Sequence, residues 1–168
     1  MIRILAWLVA AMVTAVVLVR CWPNDLRAVE KRMGQLLEAV EKTGPESLPV
    51  SAARSLEAAS YLASNVVLEL GHPFPKRMRR SDAISLFQQG RMQAESVRVQ
   101  QRGHEIARQP DGRIALDATL EGRISYRGQT EQVIGIYRFI WEKGEDGWKI
   151  AEARVSDVVQ HPNGLIAP

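Results

Sequence analysis

The sequence predicts an α+β domain in which about three helices pack on a strongly curved antiparallel sheet, behind an N-terminal transmembrane helix. Three observations predict this class. An uncharged apolar run opens the chain, apolar residues then recur at helical spacings, and from Glu95 onward the apolar period changes to two. We assign residues 1–22 to a signal-anchor, 23–160 to one domain and 161–168 to a C-terminal tail.

The apolar run extends from Ile4 to Val19 and is bracketed by Arg3 and Arg20. Sixteen helical residues rise about 24 Å, close to the hydrocarbon thickness of a bilayer. The two arginines can extend to opposite interfaces, and Trp22 suits the interfacial belt. No small-residue cleavage site follows the run, so we predict an uncleaved anchor with the lipid bilayer as its partner.

Two alternatives for this segment are a cleaved signal peptide and a lipid-modified Cys21. Arg20 stands directly before that cysteine, where a bacterial lipoprotein signal has a small residue, and this argues against the lipid. Basic residues flank both ends of the run, so the positive-inside rule does not decide the orientation. Because the N-terminal tail is very short, we predict a single-pass protein whose domain lies outside the cytoplasm.

Charge patterning predicts no nucleic-acid partner. The chain holds 22 basic and 19 acidic side chains, and two of the basic ones lie in residues 1–22, so the domain is nearly neutral. One basic cluster comprises Lys76, Arg77, Arg79 and Arg80. It could bind phosphate or anionic headgroups, although such clusters more often belong to solvated loops. No aromatic residues alternate with these cations, as a single-strand binding surface would require.

Helical periodicity gives the first half of the domain. Asn24 can cap a first helix that ends near Thr43, with an apolar stripe of Leu26, Val29, Met33, Leu36, Leu37 and Val40. The stripe favours core packing over a short dimerising coil. Ser51 can cap a second helix, which would turn inward Ala52, Leu56, Ala59 and Leu62. A short buried strand at residues 66–70 and a third helix from Ser81 to about Met92, with Ile84 and Phe87 inward, complete this half.

Four strands of an antiparallel meander follow, and the clearest alternation covers residues 114–126. If Gly128-Gln129 forms a two-residue type II′ loop, Arg127 faces Thr130 and Gly122 lies opposite Gly135. Paired glycines inside long strands indicate a sharp bend. The apolar face of these strands predicts a concave pocket lined by Leu116, Leu120, Tyr137, Phe139 and Trp141.

The last strand leaves two alternatives for its charged residues. A continuous register beyond Ile150 points Glu152 and Arg154 into the concavity, where they form a candidate functional pair. A bulge after Ile150 instead turns Ala153 and Val155 inward and sends both charges to solvent.

Residues 24–159 resemble the nuclear transport factor 2-like superfamily in element order. The resemblance is carried by Asn65-Val-Val-Leu-Glu-Leu with the loop Gly-His-Pro-Phe-Pro, and by the hairpin at residues 137–150 with Asp146-Gly-Trp-Lys-Ile. It implies a cone of curved sheet with a pocket at its open end, between sheet and helices. Such pockets serve isomerases, dehydratases and non-enzymatic binding or dimerising modules, so the resemblance does not choose an activity.

The chemistry-bearing residues are sparse. The three histidines have no metal-ligand spacing, and no nucleophile or phosphate-loop motif is present, so we predict no metal and no cofactor. An enzyme would need Glu152 or His72 as its acid or base, with Tyr137 or Tyr126 as hydrogen-bond donor. The favoured hypothesis is a membrane-anchored, non-catalytic module that binds a small ligand, a protein partner or a second copy. The alternative is a pocket enzyme of isomerase or dehydratase type.

Overall fold

The computed structural model describes residues 25–71 and 77–160. Its helices are α1 (Asp25–Val40), α2 (Leu48–Ser60) and α3 (Arg80–Gln93). Its strands are β1 (Leu62–Glu69), β2 (Ser96–Arg108), β3 (Ile114–Tyr126), β4 (Gln129–Gly144) and β5 (Gly147–Gln160). The predicted anchor at residues 1–22, the cap Asn24 and the tail 161–168 lie outside the described residues. No helix within the described ranges is long and apolar enough to cross a membrane.

The five strands form one sheet in the order β1-β5-β4-β3-β2. Strands β2 to β5 make the predicted antiparallel meander. β1 starts earlier than predicted and pairs in parallel with β5, so the sheet is mixed rather than antiparallel. A parallel pair needs a long crossover connection, and here α3 and strands β2 to β4 provide it.

The hairpin between β3 and β4 turns one residue earlier than predicted. Tyr126 pairs with Gln129, and the loop residues Arg127 and Gly128 have φ values of 49° and 74°, which is typical of a type I′ turn. The pairing therefore shifts by two positions, and Gly122 faces Val133 instead of Gly135. Because side chains alternate with a period of two, this shift leaves every side chain on its predicted face.

Register irregularities interrupt β2 near Arg102 and the β4–β5 ladder at three points. One of them lies where Trp141 pairs with Ile150 and Ile140 pairs with Glu152, so that Ala151 is the extra residue. Extra residues of this kind bend a strand and increase its twist. The predicted pair of facing glycines is absent, because Gly135 lies opposite Leu120, and the bulges are the irregular points at which this sheet can bend.

The core lies between the concave face of the sheet and α1. The predicted stripe of α1 buries Val29, Met33 and Leu36 in one cluster with Leu116 and Trp141 of the sheet. Core packing of this stripe is therefore confirmed. Burial of these apolar side chains favours folding by roughly 25 cal/mol for each Å² of apolar surface removed from water.

Helix α2 is oriented differently from the prediction. It begins at Leu48 after Ser47, with a proline in its first turn, so Ser51 lies inside the helix and does not cap it. Ser51 and Ser55 are buried, whereas Leu56 is 59% exposed. The Ser55 hydroxyl donates to the Ser51 carbonyl at 2.8 Å, so this small polar side chain is satisfied within its own helix and can face the interior.

A buried arginine closes the C-terminal end of α1. The side chain of Arg91 on α3 is 6% exposed and forms a two-point pair with Glu46, with N–O distances of 2.6 and 3.2 Å. The same guanidinium donates to three main-chain carbonyls at the end of α1, those of Ala39, Val40 and Glu41. The last carbonyls of a helix have no hydrogen-bond donor within the helix, so the Arg91 guanidinium provides the donors that these carbonyls of α1 need.

A buried lysine donates hydrogen bonds to the last carbonyls of α3. The Lys42 ammonium, also nearly inaccessible, donates to the carbonyls of Arg91 and Ala94 at 2.6 and 2.5 Å. The Lys42 backbone pairs with Val97, which ties this segment to the start of β2. Arg91 of α3 thus donates to the last carbonyls of α1, and Lys42, which follows α1, donates to the last carbonyls of α3.

Candidate functional site

The predicted pocket residues lie on the concave face of the sheet. Leu116 and Trp141 are fully buried, and Phe139 is nearly so, within the core cluster that includes α1. Leu120 and Tyr137 are partly buried and pack against that cluster. These side chains contact each other and the helix, so they form the interior of the domain.

Tyr137 occupies the space above a glycine of its own strand. A Cβ atom on Gly135 would lie 2.9 Å from the Tyr137 ring, so no larger residue fits there without displacing the ring. The ring stacks on Phe139 with 6.3 Å between centroids. Burial raises the pKa of the Tyr137 hydroxyl, which therefore stays protonated at neutral pH and can act only as a hydrogen-bond donor or acceptor.

The continuous register that pointed Glu152 and Arg154 inward is wrong, and the bulge alternative is confirmed. The extra residue Ala151 rotates the following residues, so Ala153 is buried while Glu152 and Arg154 are exposed. Glu152 accepts a hydrogen bond from Arg113 at 3.1 Å on the outer face. The structure therefore does not bring Glu152 and Tyr137 together.

The remaining candidate donors and acids are also separated. His72 lies outside the described residues, and Tyr126 borders the β3–β4 turn with the Arg127 guanidinium 5.0 Å above its ring. Glu131, which was not among the predicted site residues, is a buried carboxylate on the same face of β4 as Tyr137. Six residues of strand separate these two, a rise of about 20 Å, so they cannot act on one reacting group.

The outer face of the sheet carries an ion network. Glu121 is 2% exposed and accepts hydrogen bonds from Arg102, Arg123 and Gln132. The Arg102 guanidinium holds the pKa of the Glu121 carboxyl below its usual range, so the carboxylate is charged at neutral pH. The arginines cover this carboxylate, and the network holds neighbouring strands together.

A concave site of a different kind lies outside the cone, between α1, the start of β1 and the β4–β5 turn. It is a cleft of about 500 Å³, lined by Ala28, Lys31, Arg32, Gln35, Tyr61, Gly147 and Trp148. We call it the α1 cleft. Its lining includes two cations, one amide and two aromatic rings, but no acidic side chain.

Arg32 is held in place by three neighbours. Its Nη2 donates to the Asp146 carbonyl at 3.0 Å, and its guanidinium carbon lies 5.8 Å from the centre of the Tyr61 ring. A Cβ on Gly147 would lie 2.9 Å from that same Nη2. Gly147 also has a φ of 98°, which favours glycine in this turn, and a larger residue there would in addition displace the end of the Arg32 side chain.

Asp25 lies outside the cleft and holds one of its lining residues, Trp148, in place. Its carboxylate accepts hydrogen bonds from Arg108, Lys143 and the Trp148 indole N–H, the last at 3.3 Å. The Arg108 guanidinium keeps the pKa of the Asp25 carboxyl below its usual range. The first turn of α1 is therefore attached to β2 and to the closing hairpin, and Trp148 has a fixed orientation.

Two donors in the cleft remain available. Among the contacts of residues 25–71 and 77–160, the Lys31 ammonium and the Gln35 amide make no hydrogen bond. The sequence does not indicate this site, because Arg32, Tyr61 and Gly147 are far apart in the chain. Within the same ranges, no group of His, Cys, Asp and Glu side chains is arranged to hold a metal ion.

No protein-family model and no curated protein matches the sequence. Solved structures do match in fold. A nuclear transport factor 2-like superfamily protein from Salmonella enterica superposes with a TM-score of 0.63 over 84% of this chain and 96% of its own, at 13% identity. The fold is nuclear transport factor 2-like. The predicted resemblance is thereby confirmed at the level of the fold.

Other proteins with the nuclear transport factor 2-like fold have varied names. One from Novosphingobium aromaticivorans, provisionally assigned as an aromatic ring hydroxylase, has a TM-score of 0.70 and 14% identity, covering 84% of this chain and 94% of its own. A type 2 hexachlorocyclohexane dehydrochlorinase has a TM-score of 0.62 and 12% identity, covering 86% and 96%. At such identities the similarity establishes the fold alone.

Proposed function

We propose that the chain is a membrane-tethered, non-catalytic binding module of nuclear transport factor 2-like fold. Residues 4–19 serve as the tether, the domain lies outside the cytoplasm, and the α1 cleft is the ligand site. A dimer or a protein partner on another surface is compatible with this function and is not needed for it.

The position of Glu152 supports the non-catalytic part of this proposal. It was the carboxylic acid that the enzyme hypothesis paired with Tyr137, and it lies on the outer face in a pair with Arg113. The α1 cleft offers donors without an acidic side chain, a nucleophile or a histidine in its lining. Such a lining can hold and orient a ligand, but it has no group whose ordinary pKa suits proton transfer near neutral pH.

The short connection between tether and domain supports the position of the cleft. Helix α1 begins three residues after Trp22, and Lys31 follows Asp25 by six residues, a helical rise of about 9 Å. A cleft on the first turns of α1 therefore stays close to the bilayer surface whichever way the domain tilts. A ligand that belongs to that surface could reach it.

Cell fractionation tests the tether. We expect the full chain to stay in the membrane pellet after washing at alkaline pH, which releases peripheral proteins. In a matched variant, Ala10→Arg with Val13→Arg, two charges at the centre of the run cost about 2.5–3.5 kcal/mol each on insertion. This variant should appear in the supernatant. Recovery of the unaltered chain in the supernatant would contradict the proposal.

A further inference from the structure

The charge of the α1 cleft is one-sided. Lys31 and Arg32 line it. The carboxylates of Asp25 and Asp146, two residues that contact the lining, are engaged by other side chains. Asp25 accepts hydrogen bonds from Arg108, Lys143 and the Trp148 indole, behind the cleft wall. The Asp146 carboxylate pairs with Lys149 at 3.1 Å, and only its main-chain carbonyl contacts Arg32. An anion in the cleft would therefore meet two positive charges without a competing acid in the lining.

The donors of Arg32 are oriented before any ligand arrives. The guanidinium uses Nη2 for the Asp146 carbonyl, and its carbon lies 5.8 Å from the centre of the Tyr61 ring, within the range of a cation–π interaction. Nε and Nη1 make no hydrogen bond among the contacts of the described residues, and they lie on different edges of the guanidinium, so N–H donors remain on both nitrogens. A phosphate presents three or more oxygens, so it can accept from Arg32 and from other donors of the cleft at once, and a fixed guanidinium loses little entropy on binding.

The floor of the cleft strengthens this interaction. Tyr61 and Trp148 are both mostly buried, and they close the cleft on the side of the core. Charges that face low-polarity rings are screened less than charges in open water. Lys31 and Gln35 lie on the α1 side with unengaged donors, so an anion held by Arg32 has further hydrogen-bond partners within the same cleft.

We infer that the α1 cleft binds an oxyanion, and that the group which fits it best is a phosphate. The inference rests on the proposed function only in taking this cleft as the ligand site. The phosphate could belong to an anionic lipid headgroup of the bilayer that holds the tether, or to a soluble phosphate compound. Both sources present the same oxygens to Arg32, Lys31 and Gln35.

Binding measurements on the full chain in a non-ionic detergent test this inference with two probes. Calorimetric titration with inorganic phosphate tests the soluble source. Native mass spectrometry after addition of equal amounts of phosphatidylglycerol and phosphatidylcholine tests the lipid source. The variant is Lys31→Gln, since Lys31 is exposed and makes no hydrogen bond in the described structure, so its loss leaves the fold intact. The matched control is Arg27→Gln, an exposed cation on the same helix that does not line the cleft.

We expect saturable binding of at least one probe, weakened about tenfold in Lys31→Gln and less than about twofold in Arg27→Gln, as for loss of one charge-assisted hydrogen bond. Retention of phosphatidylglycerol alone identifies the lipid source, and binding of inorganic phosphate identifies the soluble one. Absence of both, or equal weakening by the two variants, would overturn the inference. Fractionation into the supernatant with intact phosphate binding would refute the tether and leave the inference standing.

Discussion

Arg91→Met is expected to lower the free energy of unfolding by about 3–5 kcal/mol, as for other buried ion pairs that lose one partner. The substitution keeps the volume of the side chain but removes all of its donors. Glu46, 16% exposed, would then keep a charge without its pair, and three carbonyls at the end of α1 would lose their hydrogen bonds. Urea unfolding of the detergent-solubilised chain, followed by circular dichroism, measures the loss.

A surface pair provides the control for this experiment. Arg54 and Glu57 form an ion pair at 2.9 Å on α2, with both side chains about half exposed. Exposed pairs of this type contribute about 0–1 kcal/mol, so Arg54→Met should change stability by less than that. Arg91→Lys should also be destabilising, because an ammonium cannot reproduce the fork of five N–H groups. Equal, small effects at positions 54 and 91 would show that Arg91 does not close α1 as described.

Trp141→Ala is expected to cost about 3–5 kcal/mol, the range found for large aromatic residues in closed cores. Trp141 is fully buried between the sheet and α1, so its removal leaves a cavity that the surrounding strands cannot fill. A tryptophan that merely lined an open ligand pocket would cost far less, because water would enter the space. The same unfolding assay distinguishes a filled cone from an open one.

Trp141→Phe serves as the control for cavity size. The indole N–H makes no hydrogen bond within the described residues, so phenylalanine sacrifices volume without leaving a polar partner unsatisfied. We expect a loss less than half that of the alanine variant. A loss below about 1 kcal/mol for Trp141→Ala would contradict the filled interior and restore the cone as a ligand site.

The periodicity of apolar residues predicted which faces of the regular helices and strands are buried. The stripe of α1 and the alternation of β3 each repeat over several turns or pleats. The stripe buries Val29, Met33 and Leu36, and the first half of β3 buries Ile114, Leu116 and Ala118. The register error at Arg127 and Gly128 did not disturb this result, because a shift of two positions preserves the face of every side chain. The turn itself was misplaced since glycine can occupy either loop position.

The features that escaped prediction depend on contacts between distant residues or on a single inserted residue. Ala151 looks like any strand residue, yet as the extra residue of a bulge it determines which way Glu152 points. The orientation of α2 was not predicted, because apolar periodicity places Leu56 inside. Ser55 faces the interior instead, since its hydroxyl donates a hydrogen bond to a carbonyl of its own helix. The α1 cleft joins residues from three separate parts of the chain, so no local motif could indicate it.

Protease accessibility of the domain tests most directly whether a tether holds the binding site outside the cytoplasm. The full chain, with an epitope after its last residue, is expressed in cells whose outer layers are then opened while the cytoplasmic membrane stays intact. We expect added protease to remove the epitope before that membrane is permeabilised, while a cytoplasmic marker protein survives, and the epitope to sediment with membranes when protease is omitted. Protection of the epitope until the cytoplasmic membrane is broken would contradict the proposed topology, and its release without protease would contradict the tether.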